Sequence, residues 1–264
     1  MLQKRYEGFL KTPVLWQNNV VLNLQQFEIE TTTNNININV DDKLRLGKYI
    51  ERFVSFELQQ QNNISILAEN IQIQQNKITL GELDCLILKN DTPIHLEIIY
   101  KFYLYDETVG NTETDHFIGP NRKDSLIEKL IKLKEKQLPL LHSEACKPYL
   151  DNLGLNAKTI SQQVYFKAQL FLPYNNQNIQ LKTLNNQCIS GYYISINTII
   201  NFKDCKFFIP NKKDWLITPH PNVAWLNFVT FSSLALEYLD QKYSTLFWLK
   251  FKNGIIKKMF LVWW

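Results

Sequence analysis

The stretch "TLGELDCLILKNDTPIHLEIIYKFYL", residues 79–104, places Glu82, Asp84, His95, Glu97 and Lys101 where a sheet would ordinarily carry apolar side chains. It reads as two strands of a hairpin, and a turn about Asn90–Asp91 sets Asp84 directly opposite Glu97. One face then shows Leu83, Cys85, Ile87, Ile94, Leu96, Ile98 and Tyr100, and the other shows the charged set. Opposed residues on one face have Cβ atoms about 5 Å apart. Two carboxylates at that distance repel by roughly 3 kcal/mol at an effective dielectric of about 20. A cation belongs between them, either Lys101 or a bound divalent ion. Mg²⁺ takes oxygen ligands, usually one or two carboxylates completed by water or substrate phosphate. Such an ion, with a lysine to orient or activate water, is the equipment of phosphodiester hydrolysis. The competing reading is a solvated sheet face, against which the helices expected on either side of the strands count.

Those helices and strands follow from periodicity. "KLRLGKYIERFVSFELQQ" carries Leu46, Ile50, Phe53 and Val54 at helical spacing and predicts a first helix. "ISILAENIQIQ", "KITLGELDCLIL" and "PIHLEIIYKFYL" predict three consecutive antiparallel strands. "GPNRKDSLIEKLIKLKEKQL" predicts a second helix, with Asn121 as N-cap, Asp124 three residues on, and Leu126, Ile127, Leu130 and Leu133 on its apolar side. "ISQQVYFKAQLFLPY" predicts a fourth strand. Residues 1–42 read as a polar lead-in ending in "TTTNNININVDD", a loop or weak edge strand. Residues 43–174 form the expected α/β core, and residues 175–264 a β-rich aromatic portion packed on it, with a helix over "FVTFSSLALEYLDQKY" and a two-residue hairpin turn at Asn253–Gly254. No Pro/Gly/Ser-rich linker separates the two.

Composition narrows the classes. With 264 residues, 45% of them hydrophobic and 20% charged, the chain can bury a large core and is not a disordered protein. Its formal net charge of +4 is compatible with a polyanion partner and decides nothing alone. Cys85, Cys146, Cys188 and Cys205 are widely separated and contain no C-x-x-C pair, which argues for reduced thiols rather than a zinc knuckle or disulfide framework. No segment reaches the roughly 18 apolar residues of a membrane span, and the N-terminus has no uninterrupted apolar run. A soluble, cytoplasmic protein is expected. No Gly-rich phosphate loop, Ser-His-Asp arrangement or dinucleotide fingerprint is present.

"LGKYIERF", "AENIQIQ", "TLGELDCLI", "HLEIIYKFYL", "GPNRKDSLIEKL" and "KEKQL", in that order and spacing, resemble the PD-(D/E)XK nuclease superfamily. They resemble more closely the bacterial family called domain of unknown function 1853, which has been grouped with those nucleases; weaker similarity continues through "GYY" and "DWLITP". The resemblance implies a restriction-endonuclease-like core of helix, three antiparallel strands, helix and strand. It implies that Glu51 is the acid of the first helix, Asp84 the motif aspartate and Glu97 the acid of the E-x-K strand, with Glu82 matching an acid common in related nucleases. Ile99 stands where the lysine is usual, and Lys101, one pleat further on the same strand face, is the residue that could replace it. On a helical wheel Glu51 sits at the edge of the apolar stripe and Glu57 nearer its centre, so Glu57 is the fallback, and either could be an exposed helical acid.

Arg122 and Lys123 are expected in the first turn of the second helix, where positive side chains oppose the helix dipole, and Lys129, Lys132 and Lys136 continue a basic face; the set reads either as a phosphate site, which would reconcile it with the dipole, or as a merely solvated charged face. Gln137 follows that helix and matches a polar residue that some nucleases use near the site. Lys212, Lys213, Trp215 and Trp225 read either as a stacking platform for a single strand or as core aromatics. The expected function is a Mg²⁺- or Mn²⁺-dependent nuclease acting on DNA or RNA. In it Asp84 and Glu97 bind metal, assisted by Glu82 and Glu51, Lys101 positions water, and Arg122, Lys123 and Lys129 contact nucleic acid. The alternative is a nuclease-fold protein without chemistry that binds nucleic acid or a protein partner.

Overall fold

The structure is a computed structural model that describes residues 1–31 and 35–264. In chain order its elements are α1 (Leu2–Lys11), α2 (Leu46–Gln59), β1 (Ile64–Gln75), β2 (Ile78–Lys89), β3 (Thr92–Tyr105), β4 (Phe117–Ile118), α3 (Leu126–Lys132), α4 (Lys147–Asn152), β5 (Ser161–Pro173), β6 (Ile189–Ser195), β7 (Lys206–Phe208), α5 (Phe228–Asp240), β8 (Thr245–Lys250) and β9 (Ile256–Val262). The protein is thus of mixed α/β class. Its chain forms two compact units, one of residues 14–100 and 128–167, the other of residues 1–13, 101–127 and 168–264. Both β3 and β5 run from one unit into the other.

In the first unit the strand order is β1-β2-β3-β5, with β1/β2 and β2/β3 antiparallel. Both hairpins close through two residues with left-handed backbone, Asn76 and Lys77 at φ 51° and 67°, Asn90 and Asp91 at φ 48° and 61°. Positive φ at both central residues is what a type I′ turn requires, and Asn and Asp tolerate it best. The expected register is met, with Cys85 opposite Leu96, Leu86 opposite His95 and Ile87 opposite Ile94. Ile73, Leu83 and Leu86 pack with Leu141, Cys146, Leu150 and Ile160 in a core beneath the hairpins.

Neither face of the β2/β3 hairpin is wet at this depth. Leu83, Cys85, Ile87 and Leu96 are fully buried, and so are His95 and Glu97 on the opposite face. The solvated-face reading is therefore set aside. α2 packs on β1 and buries Ile50, Phe53, Val54 and Leu58 as its spacing requires, but it also buries Glu51 and Glu57. Neither acid is an exposed helical residue, which corrects that alternative.

The expected second helix starts later than the Asn121 cap suggested, at the first residue of its apolar pattern. Ser125 bridges Ile118 in the sheet, so α3 begins at Leu126 and Arg122 and Lys123 precede it. Asn121 does not cap it, because its side chain accepts the Ser244 N–H at 2.7 Å. After α3 the chain widens into a π turn over Leu133–Gln137 and tightens into a 3₁₀ turn over Leu138–His142. The N-terminal stretch is more structured than a lead-in. α1 opens it, and Trp16 and Phe27 are buried where isolated bridges tie Val14 to Lys167 and Gln26 to Val164. Of the low-complexity segment, residues 35–42 are irregular, and the expectation for residues 32–34 lies outside the described residues.

The second unit has the order β4-β3-β5-β6-β9-β8-β7, parallel at β5/β6 and β6/β9 and antiparallel at β8/β9 and β7/β8. Its core is aromatic. Phe207 stacks on Phe231 of α5 at 4.2 Å between centroids, and Phe231 meets Phe247 at 5.0 Å. Gly191 lets β6 approach β9, since a Cβ there would lie 2.1 Å from the Lys258 carbonyl oxygen. The β8/β9 turn is longer than the two residues expected: Phe251 N–H donates to Ile255 O at 2.9 Å, with Gly254 at φ 85° inside the loop. Among the described residues, no helix is long and apolar enough to cross a membrane.

Candidate active site

The first unit collects four of the expected acids, Glu51 from α2, Glu82 and Asp84 from β2 and Glu97 from β3, around one polar row across the sheet. The pairs Glu69/Cys85 and Ile71/Leu83 flank Asn70, which places it opposite Asp84, and continuing the β2/β3 register places Asp84 opposite Glu97. The row Asn70, Asp84, Glu97 lies between the rows of Glu69, Cys85 and Leu96 on one side and Ile71 and Leu83 on the other. Backbone pairing of β2 with β3 stops at Cys85, and beyond it Asp84 Oδ2 accepts the Ile98 N–H at 2.9 Å. A side-chain carboxylate thus takes over a ladder hydrogen bond where the strands part.

The electrostatics of the row are set by burial together with that proximity. Burial first, and then the negative charge of Glu97, push the Asp84 carboxyl up to about 7, with the Ile98 N–H pulling the other way. Glu51 adds to the push and Lys48 opposes it. At neutral pH the Asp84 carboxyl is therefore about half protonated, where an ordinary aspartate would be ionised.

Lys48, one turn before Glu51 on α2, supplies the ammonium. Its Nζ donates to Glu51 Oε2 at 2.9 Å, to Asn70 Oδ1 at 2.6 Å and to Glu82 Oε1. Burial lowers its pKa, yet the hydrogen bonds to Glu51 and Glu82 outweigh this and leave it raised. Burial raises the Glu51 carboxyl in spite of Lys48. Asn70 reaches Lys48 from a left-handed backbone at φ 55°, a conformation that Asn adopts more readily than most residues.

Glu97, fully buried, is held on both oxygens. His95 Nε2 lies 3.1 Å from Oε1, and Gln137 Nε2 donates to Oε2 at 2.6 Å. Behind Gln137, Lys129 Nζ donates to its Oε1 at 2.6 Å. Behind His95, Gln162 Nε2 lies 3.0 Å from Nδ1 and donates to the Leu138 carbonyl at 2.6 Å. Gln137 is the last residue of the π turn, the kind of helical irregularity that recurs at functional sites.

The donor set suits a hard cation. It is all oxygen, and among the described residues Asp84 Oδ1, Glu51 Oε1 and Glu82 Oε2 accept no hydrogen bond. No group of three His, Cys, Asp or Glu side chains that could hold a metal ion by itself converges among the described residues.

Other expected site residues are engaged elsewhere. Lys101 lies in the second unit, where its Nζ donates to Asp124 Oδ2 at 2.7 Å; the ammonium that the Asp84 carboxyl feels comes from Lys48. Ile99 is buried. Arg122 donates to Asp106 Oδ2 at 2.8 Å and lies over the Trp264 ring, while Lys129 serves Gln137. Trp215 is a core residue, 2% exposed, with Lys212 Nζ 3.3 Å from its ring centroid, which answers the question of a stacking platform there. Glu57 is buried on α2, and its charge helps burial raise the Tyr165 hydroxyl. Sequence reasoning missed Lys48, Asn70 and Gln162. The (i, i+3) spacing of Lys48 and Glu51 was the available signal for the first.

The four cysteines are free thiols, as their spacing suggested. No curated protein and no solved structure gives a match to the chain. The family model described as a domain of unknown function (DUF1853) matches residues 1–253, and the chain belongs to that family.

Proposed function

We propose that the protein is a divalent-metal-dependent nuclease with a PD-(D/E)XK-like site, hydrolysing phosphodiester bonds in DNA or RNA, and that Lys48 takes the place of the lysine absent at position 99. The observation that carries this reading is the apposition of Asp84 and Glu97 on neighbouring strands, where burial and then the charge of Glu97 raise the Asp84 carboxyl to about 7. Two acids held in mutual repulsion are relieved either by a retained proton or by a bound cation, and a divalent ion would displace the proton from Asp84. Asp84 and Glu97 would hold Mg²⁺ or Mn²⁺, with Glu82 beside them; when bound, the ion supplies Lewis-acid stabilisation of charge developing on the phosphoryl oxygens.

The remaining work falls to the chain's own residues. Lys48 is anchored by Glu51, Asn70 and Glu82, so its ammonium is fixed beside the acids and can orient a water or a phosphate oxygen. Gln137 and His95 fix both oxygens of Glu97, which keeps its carboxylate aimed while it is buried. The restriction-endonuclease-like core is part of the proposal, supported by the sequence α2, three antiparallel strands, α3 and β5. The setting we assign is a bacterial cytoplasm, which suits four reduced thiols.

A second reading, a nuclease-fold protein without chemistry that binds nucleic acid or a protein partner, is favoured by buried Ile99 and by the pairing of Lys101 with Asp124. Calorimetric titration of Mg²⁺ and Mn²⁺ into wild type and Asp84→Asn separates the two. The nuclease reading expects millimolar or tighter binding that the substitution abolishes. Wild type that takes up neither ion, yet binds nucleic acid, would establish the second reading.

A further inference from the structure

A cavity of about 770 Å³ opens in the second unit, a volume in the range of small-molecule sites. Its walls are aromatic, with Tyr105, Tyr174, Phe202 and Phe251 among them, and its charged lining consists of Asp106 and Glu107. Among the described residues, no Lys, Arg or His lines it. A phosphate or carboxylate entering this cavity would meet two acids and no cation in the lining itself. The chemistry is opposite in sign to that of a polyanion track.

The two acids are not equivalent. Asp106 is already compensated, because Arg122 Nη1 donates to its Oδ2 at 2.8 Å and Thr108 donates to its Oδ1 through both the backbone N–H and the hydroxyl. Glu107 is exposed and, among the described residues, makes no hydrogen bond or ion pair. The aromatic wall is of a kind that attracts ammonium groups. Tyr174 meets Phe202 edge-on at 5.2 Å between centroids, and Lys257 Nζ already sits 5.3 Å from the Tyr174 ring centroid.

We infer that this cavity binds a small organic cation, an ammonium or guanidinium group on a flat apolar body, with the body against Tyr174, Phe202 and Phe251 and the charge on Glu107. The site is independent of the nuclease reading, since none of Asp84, Glu97 or Lys48 contributes to it. Three probes of similar shape test it by calorimetry at neutral pH: phenethylamine, neutral 2-phenylethanol and anionic 3-phenylpropanoate. Phenethylamine is expected to bind at least about fivefold more tightly than 2-phenylethanol, the order of one partly exposed ion pair, and 3-phenylpropanoate most weakly. Glu107→Gln, at an exposed position, is expected to lower phenethylamine affinity about fivefold and leave 2-phenylethanol unchanged. Equal affinity for amine and acid, absence of amine binding at millimolar concentrations, or an unchanged amine affinity in Glu107→Gln would overturn the inference.

Discussion

Gln137 Nε2 donates to Glu97 Oε2 at 2.6 Å, so a residue at the end of a π turn supplies a donor to a fully buried carboxylate. Gln137→Ala would leave that oxygen desolvated and without this partner. A loss of about 1–3 kcal/mol in urea unfolding is expected, the penalty for orphaning a buried polar group. Gln137→Glu should be the worse variant, because it replaces the donor with a carboxylate set against Glu97.

Asp84 gives a pH dependence whose sign is fixed. Its folded-state carboxyl titrates at about 7, above the ordinary 3.8, so the folded protein holds more protons than the unfolded chain between those values. Its contribution to stability is fully present below about pH 4 and is lost as pH rises through about 7. In metal-free protein, Asp84→Asn should therefore flatten the decline in stability over this window, measured by chemical denaturation at a series of pH values. An unchanged slope would show that the pair is not the source.

Lys258 predicts the reverse trend at higher pH. It is buried on β9, donating to Gln169 Oε1 at 2.9 Å and to the Trp215 carbonyl at 2.7 Å, and burial lowers its pKa to about 7 from 10.5. The folded state then binds fewer protons than the unfolded chain between these values, so this contribution is present above about pH 10.5 and is lost as pH falls through about 7. Wild type should gain stability on going from pH 7 to pH 10, and Lys258→Met should gain less. The check is again denaturant unfolding, with both proteins measured across that range.

Asn70 combines backbone strain with a contact to the site. Asn70→Ala keeps a Cβ at φ 55° and removes the acceptor for Lys48, and should cost about 1–3 kcal/mol. Asn70→Gly removes the strain but not the loss of the contact. It should therefore recover thermal stability relative to Asn70→Ala without recovering any activity that depends on Lys48.

The sequence was most legible where local rules act alone. Alternation in "TLGELDCLIL" and "PIHLEIIYKFYL", with the turn at Asn90–Asp91, was enough to reach the observed register and the Asp84/Glu97 row. The start of α3 was less legible. Asn121, Arg122 and Lys123 look like a helix entrance, but the bridge from Ser125 to Ile118 and the bond from Ser244 to Asn121 use partners far along the chain. Lys48 was missed for the same reason: its (i, i+3) neighbour Glu51 is visible locally, whereas its contacts with Asn70 and Glu82 arise only when α2 packs against the sheet. Lys101 satisfies the alternation as well as any residue, and nothing in "IIYKFYL" signals its pairing with Asp124.

The most direct measurement is cleavage of mixed single- and double-stranded DNA and RNA in Mg²⁺ or Mn²⁺ by wild type, Lys48→Met and Lys101→Ala. Cleavage by wild type that is lost in Lys48→Met and retained in Lys101→Ala is the predicted result, since the exposed Lys101–Asp124 pair contributes at most about 1 kcal/mol to stability. Activity that survives Lys48→Met, or wild type that cuts none of the substrates with either ion, would contradict the account.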